Sequence, residues 1–120
     1  MLSVRQGEIW NVSLNPTIGD EISKIRPCVV LDSDGFGVLQ IRVVAPITEW
    51  RAYFEEYPWM IKLTQDEYNG LYKTSSIDTR QIRSLSYIRF QNKVGVVSGE
   101  LLKSAHIAIV KAFDMRYILN

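Results

Sequence analysis

From Gly7 to Ala45 the chain is cut by turn formers into short strand-like runs, the pattern of a small barrel or a strongly twisted antiparallel sheet. Gly7–Leu14 alternates apolar and polar residues from Trp10 onward, as a half-buried strand does. A loop from Asn15 to Ile25 follows, then an apolar run, Pro27–Leu31, that reads as a buried strand. Asp32–Gly37 is dense in turn formers and predicts a hairpin connection into a third strand, Val38–Ala45, stopped by Pro46. Met60–Leu63 and Ser84–Phe90 are further extended pieces.

Helical signals are few. Thr64 and Glu67 stand in capping-box spacing ahead of Gly70, which predicts one short helix. Near the C-terminus Ser98 is placed to cap a longer one, with Glu100 in its first turn. Leu101, Leu102, Ala105, Ala108, Ile109, Ala112 and Phe113 give it an apolar face. The expected fold is therefore mainly β with short helices, in one domain over residues 1–120, without repeats or linkers. At 47% hydrophobic and 22% charged residues, a chain of this length can bury a real core.

A net charge of +1 argues against a gross electrostatic commitment to nucleic acid or membrane. The single cysteine, Cys28, allows no internal disulfide and reads as a structural thiol. His106 is the only histidine, no zinc-ligand cluster is present, and no hydrolase triad can be assembled. No metal or cofactor is expected. The N-terminal residues lack a signal-peptide pattern and no run reaches membrane-spanning length, so a soluble cytoplasmic protein is expected.

The residues that point to chemistry begin with Arg26. Pro27 biases Arg26 toward extended backbone, so its guanidinium sits where a loop meets a buried strand. A fork of donors held there suits a phosphate. Glu21, in the same loop, reads either as a solvated carboxylate or as one that orients the arginine or accepts a proton. Thr48 follows Ala45-Pro46-Ile47; it is either a turn residue or a hydroxyl that positions a substrate oxygen. The stretch from Lys73 to Lys93 carries Lys73, Arg80, Arg83, Arg89 and Lys93 against one acid, Asp78, which makes a local positive surface or a solvated strand face. Trp50, Tyr53, Phe54, Tyr57 and Trp59 crowd the preceding segment, where rings either stack unpaired bases or close a core or interface. Tyr53 and Trp59 are the expected buried members.

Taken together these residues resemble the MazF/PemK family of toxin endoribonucleases. The likeness runs through Gly7-Glu8-Ile9-Trp10-Asn11-Val12-Ser13-Leu14-Asn15-Pro16-Thr17, then Gly19-Asp20-Glu21 and Arg26-Pro27. It continues through Ala45-Pro46-Ile47-Thr48, Gly70-Leu71, Ser75, Gln81-Ile82-Arg83-Ser84-Leu85 and Arg89, about the whole chain. One departure is Ser86, where the family commonly has an aspartate. The resemblance implies an SH3-like or CcdB-like antiparallel barrel with a C-terminal helix, a homodimer, and a cognate antitoxin as partner. It implies metal-independent cleavage of single-stranded RNA, by 2′-OH attack that leaves a 2′,3′-cyclic phosphate and a 5′-OH. Arg26 and Thr48 match the family's catalytic arginine and threonine, and Glu21 matches a glutamate implicated in catalysis in some members. Thr17, Lys24, Ser75, Arg80, Gln81 and Arg83 are the residues expected to bind the RNA. Two other outcomes stay open: a barrel that poisons DNA gyrase by protein contact alone, and a degenerate homologue that binds RNA or antitoxin without turnover.

Overall fold

Trp10, Val12 and Leu14 put their side chains on one face of the first strand and Ile9 on the other, and each set joins a different core. In a computed structural model, which describes residues 3–117, that strand is β1 (Glu8–Ser13). It lies between β2 (Ile25–Val30) and β7 (Phe90–Val96). Beyond β2 come β3 (Ile41–Glu49), β5 (Ser75–Asp78) and β4 (Met60–Leu63), with β6 (Arg83–Ser86) also paired to β3. Every pairing is antiparallel.

The apolar run Cys28–Leu31 is continuous because its strand is buried on both faces. Cys28 and Val30 pack with Trp10, Leu85 and Phe90, whereas Val29 and Leu31 pack with Ile9, Ile77 and Ala105. The second face is covered by the helix α1 (Gly99–Ala112) through Leu101, Leu102, Ala105 and Ile109. Ser98 caps that helix as expected, its hydroxyl accepting from Leu101 N–H at 3.2 Å. His106, on α1, bonds the Leu31 carbonyl at 2.9 Å. Burial pushes the Cys28 thiol up to about 12, which fits a structural role. Among the described residues, no helix is long and apolar enough to cross a membrane.

Four local expectations need correction. Residues 64–70 form a turn, not a helix: the Asp66 carboxylate accepts from both Tyr68 and Asn69 N–H, at 2.8 and 2.9 Å. That side-chain turn competes with the capping box and wins. The Ser84–Phe90 piece is divided by a 3-10 turn, Tyr87–Arg89, into the end of β6 and the start of β7. Of the crowded aromatics, Phe54 is the buried one; Tyr53 is 59% exposed and Trp59 half-buried. Finally, Pro46 does not end the third strand, which starts late at Ile41 and runs through to Glu49.

Pro46 is tolerated because of where its nitrogen points. Leu31 N–H donates to the Val43 carbonyl at 2.9 Å, so hydrogen-bonded and open pairs alternate from there along β2 and β3. Val29 opposite Ala45 is a bonded pair, and Cys28 opposite Pro46 is an open one. Pro46 nitrogen thus faces the other edge of β3. There the neighbour changes from β6, paired through Val44, to β5, paired from Ile47. No ladder position is left short of a donor.

Candidate active site

A second proline opens the site. Leu14 N–H bonds the Lys24 carbonyl at 2.9 Å, which makes Val12 opposite Arg26 a bonded pair and Asn11 opposite Pro27 an open one. Pro27 nitrogen therefore faces β3, at a position where the next ladder bond would need an N–H that proline lacks. The β2–β3 ladder stops at Cys28 and Pro46. Beyond that point β3 pairs with β5 while β2 stays with β1, and the two strands part. Arg26 lies on one wall of the resulting cleft and Thr48 on the other.

The cleft consists of two adjoining hollows of about 600 and 390 Å³. Four residues, Arg26, Thr48, Glu49 and Lys73, line both and so mark the rim between them. The sequence signal of an arginine and a threonine at the ends of consecutive strands thus leads to one place. Arg26 Nε donates to the Ser23 carbonyl at 3.4 Å, and no carboxylate among the described residues lies within ion-pair range of its fork. Thr48 Oγ1 is buried and has no hydrogen-bond partner among the described residues. A buried hydroxyl left unpaired costs about 1–3 kcal/mol, so Thr48, which lines both hollows, carries a hydroxyl with unused bonding capacity.

Glu21 lies elsewhere. Its carboxylate accepts from Ile18 N–H at 2.6 Å, and it lines a third hollow of about 310 Å³ with Arg80, Gln81 and Arg83. Gln81 connects the second and third hollows while pinning the loop: its Oε1 accepts from Ile22 N–H at 2.7 Å and its Nε2 donates to the Asp20 carbonyl at 3.2 Å. Lys24 takes a left-handed backbone, φ 69°, stabilised where its N–H donates to Asn15 Oδ1 at 3.1 Å. Thr17 is half-buried in the same loop, and neither Thr17 nor Lys24 lines the two central hollows. Ser75 does line the first, with its hydroxyl donating to the Lys73 carbonyl at 3.0 Å. Ser86 caps the 3-10 turn after β6, its hydroxyl accepting from Ile88 N–H at 3.3 Å, and lines none of the three hollows.

Several side chains of the basic stretch already have partners in the fold. Arg83 donates to the Leu14 carbonyl at 2.8 Å, and Arg89 to those of Ser13 and Asn15 at 3.2 and 2.6 Å. Lys93 pairs with Glu8 at 2.8 Å. Arg80 stands over the Trp59 ring, 5.2 Å from its centroid. Only pairing reveals this, since carbonyl acceptors leave no mark in a charge pattern. The residues that sequence reasoning left out of the site are Lys73, Glu49 and Asp78. Burial pushes the Asp78 carboxyl above its ordinary range, partly offset by the Arg80 N–H, and Asp78 lines the second hollow. Among the described residues, no cluster of three His, Cys, Asp or Glu side chains is arranged to hold a metal.

Residues 5–113 match the family described as PemK-like, MazF-like toxin of type II toxin-antitoxin system. Endoribonuclease MazF9 of Mycobacterium tuberculosis is 30% identical over 118 residues, covering 93% of this chain and 98% of that protein. In fold, the chain is similar to the crystal structure of MazF from Deinococcus radiodurans, with a TM-score of 0.81 at 19% identity over 96% of this chain and all of that one. It is also similar to an endoribonuclease solved in complex with its cognate antitoxin from a mycobacterial species. There the TM-score is 0.75 at 12% identity, over 97% of this chain and 100% of that one. A match that spans nearly the whole sequence, together with the same strand-and-helix architecture, makes this chain a member of the PemK-like, MazF-like toxins of type II toxin-antitoxin systems.

Proposed function

We propose that the protein is an endoribonuclease that cuts single-stranded RNA in the Arg26–Thr48 cleft, through attack of a ribose 2′-OH on the adjacent phosphorus. The new O2′–P bond displaces the 5′ oxygen, which takes a proton from solvent as the P–O5′ bond breaks, so the products are a 2′,3′-cyclic phosphate and a 5′-OH, and the reaction needs no metal. The observation that carries this reading is the convergence of a fork without a carboxylate partner and a buried, unpartnered hydroxyl on the rim between two hollows. Hollows on both sides of that rim suit a polymer whose reacting phosphate lies in the middle. Arg26 stabilises the charge that builds on the phosphorane-like transition state, and Thr48 holds a phosphate oxygen or the attacking hydroxyl. Relatives named endoribonucleases support the activity, and an antitoxin complex among the structural neighbours supports a cognate antitoxin as the inhibitor.

An arginine guanidinium is not deprotonated at neutral pH, and a general base must come within about 3 Å of the atom whose proton it takes. Glu21, engaged with Ile18 N–H and facing the third hollow, shapes the loop instead. The carboxylates that share a hollow with Arg26 and Thr48 are Glu49 and Asp78, so the 2′-OH proton leaves on that side. Ser86 lies outside these hollows, which favours an active enzyme over a degenerate one. The protein acts as a cytoplasmic homodimer.

The test is incubation of wild type and Arg26→Ala with a long single-stranded RNA in chelator, with the cut 5′ ends mapped. Wild type gives discrete 5′-OH ends, and the variant loses at least about 100-fold in rate at an unchanged melting temperature. Cleavage that survives the substitution removes Arg26 from the mechanism. An intact RNA alongside stalled gyrase supercoiling replaces the reading with the non-enzymatic one.

A further inference from the structure

Once the cations of the 73–93 stretch are traced to their partners, one remains in the cleft. Arg83, Arg89 and Lys93 are engaged by the fold, and Arg80 sits on Trp59 beside the third hollow. Lys73 lines both central hollows with Arg26 and Thr48, and no carboxylate among the described residues pairs with it. Its Nζ stands 5.9 Å from the Tyr72 ring centroid, a weak contact for an exposed ammonium. The carboxylate on the same rim, Glu49, is paired with Arg51 at 3.3 Å.

The main chain that carries Lys73 is fixed on both sides. Asn69 is fully buried: its Oδ1 accepts from Leu71 N–H at 3.0 Å and its Nδ2 donates to the Thr64 carbonyl at 3.0 Å. Gly70 takes φ +69°, and a Cβ there would stand 2.1 Å from the Val94 carbonyl oxygen, so the segment is pressed against β7 as no other residue allows. On the far side Ser75 bonds the Lys73 carbonyl at 3.0 Å, and Trp50 N–H bonds the Thr74 carbonyl at 3.1 Å. The turn that stands in place of the expected helix thus ends by presenting an unpaired ammonium to the cleft.

We infer that Lys73 is a second phosphate-binding residue of the cleft, contacting the scissile phosphodiester from the wall opposite Arg26. This rests on the ribonuclease reading. Arg26 supplies direction through its planar fork, and Lys73 supplies a point charge on a flexible stem. A phosphodiester gains negative charge on its way to the phosphorane-like transition state, so a second cation stabilises that state more than the bound substrate.

The experiment measures kcat and KM for wild type, Lys73→Gln, Lys73→Arg and Lys103→Gln, with thermal melts for each. Lys103 is an exposed lysine of α1, outside the cleft, and reports the effect of losing one positive charge anywhere. Lys73→Gln lowers kcat/KM on the order of 10- to 100-fold, mostly in kcat; Lys73→Arg restores most of it, and Lys103→Gln stays within about twofold. Equal losses in Lys73→Gln and Lys103→Gln, or a loss in Lys73→Gln confined to KM, overturn the inference and leave the ribonuclease standing. So does a Lys73→Arg variant that melts normally yet recovers nothing. If wild type cuts no RNA, both readings fall together.

Discussion

Two arginines sit on neighbouring strands, and their surroundings are opposites. Arg42, on β3, is 4% exposed and uses four of its five N–H donors: Nε on Asp32 at 2.9 Å, Nη2 on the Asp32 carbonyl at 2.6 Å and on Asp34 at 3.1 Å, and Nη1 on the Val4 carbonyl. Attraction to Asp32 and Asp34 outweighs the burial penalty and raises its pKa further. Arg26, on β2, is exposed, with a single long bond to its own loop. The same side chain therefore serves the fold in one place and is left without a carboxylate partner, on the rim of a cleft, in the other. What separates them is whether a carboxylate comes within pairing distance: the two in the Arg26 cleft, Glu49 and Asp78, do not, and Glu49 is paired with Arg51.

The comparison breaks most sharply under paired substitutions. Arg42→Ala removes a buried side chain with its bonds to the Val4 and Asp32 carbonyls, while Asp32 and Asp34 keep access to water, and is expected to destabilise the protein by about 1–3 kcal/mol. Among molecules still folded, its RNA cleavage per mole is unchanged. Arg26→Ala does the reverse, abolishing cleavage with a stability change within about 0.5 kcal/mol. Denaturant titrations run beside the cleavage assay check both. A large stability loss in Arg26→Ala would show that its fork has a structural partner after all.

That contrast was only half legible in the sequence. Arg26-Pro27 ahead of an apolar strand, and Thr48 after Ala45-Pro46-Ile47, are local patterns whose restraints act through adjacent residues, so they could be read directly. The role of Pro46 could not, because it depends on which edge of β3 its nitrogen faces. Nor could β5, whose Ser-Ser-Ile-Asp lacks strand periodicity and is held extended between β3 and β4. The same limit hid the fate of Arg83 and Arg89, whose acceptors are carbonyls on β1 and the loop after it, distant in sequence.

Thr48 sharpens the comparison at lower cost to the fold. Replacing it with valine keeps the shape and removes a buried hydroxyl that has no partner among the described residues. Stability is expected to hold or to rise by up to about 1 kcal/mol, while cleavage falls about 10- to 100-fold. Thr48→Ser keeps the oxygen and most of the rate. A valine variant that melts several degrees lower would mean that the hydroxyl bonds within the protein, and its place in the chemistry would have to be withdrawn.

The smallest effect is expected at Glu8, a charge that belongs to the Arg42 side of the contrast. Burial alone would raise its pKa, but Lys93, Trp10 Nε1–H and Arg5 N–H together outweigh burial and hold the carboxyl below the usual 4.5. A carboxyl depressed in the folded state contributes stability above its unfolded pKa and loses it as pH falls through the lower folded value. Glu8→Gln, which keeps the shape but leaves the Lys93 ammonium unpaired, should therefore cost about 1–2 kcal/mol at pH 7. The gap between the two proteins should narrow as pH drops below 4.5 and close once wild-type Glu8 is itself protonated. Urea midpoints taken from pH 7 to pH 3 follow that gap directly. A difference that stays constant across the range would assign the loss to altered packing of Trp10 and not to the charge.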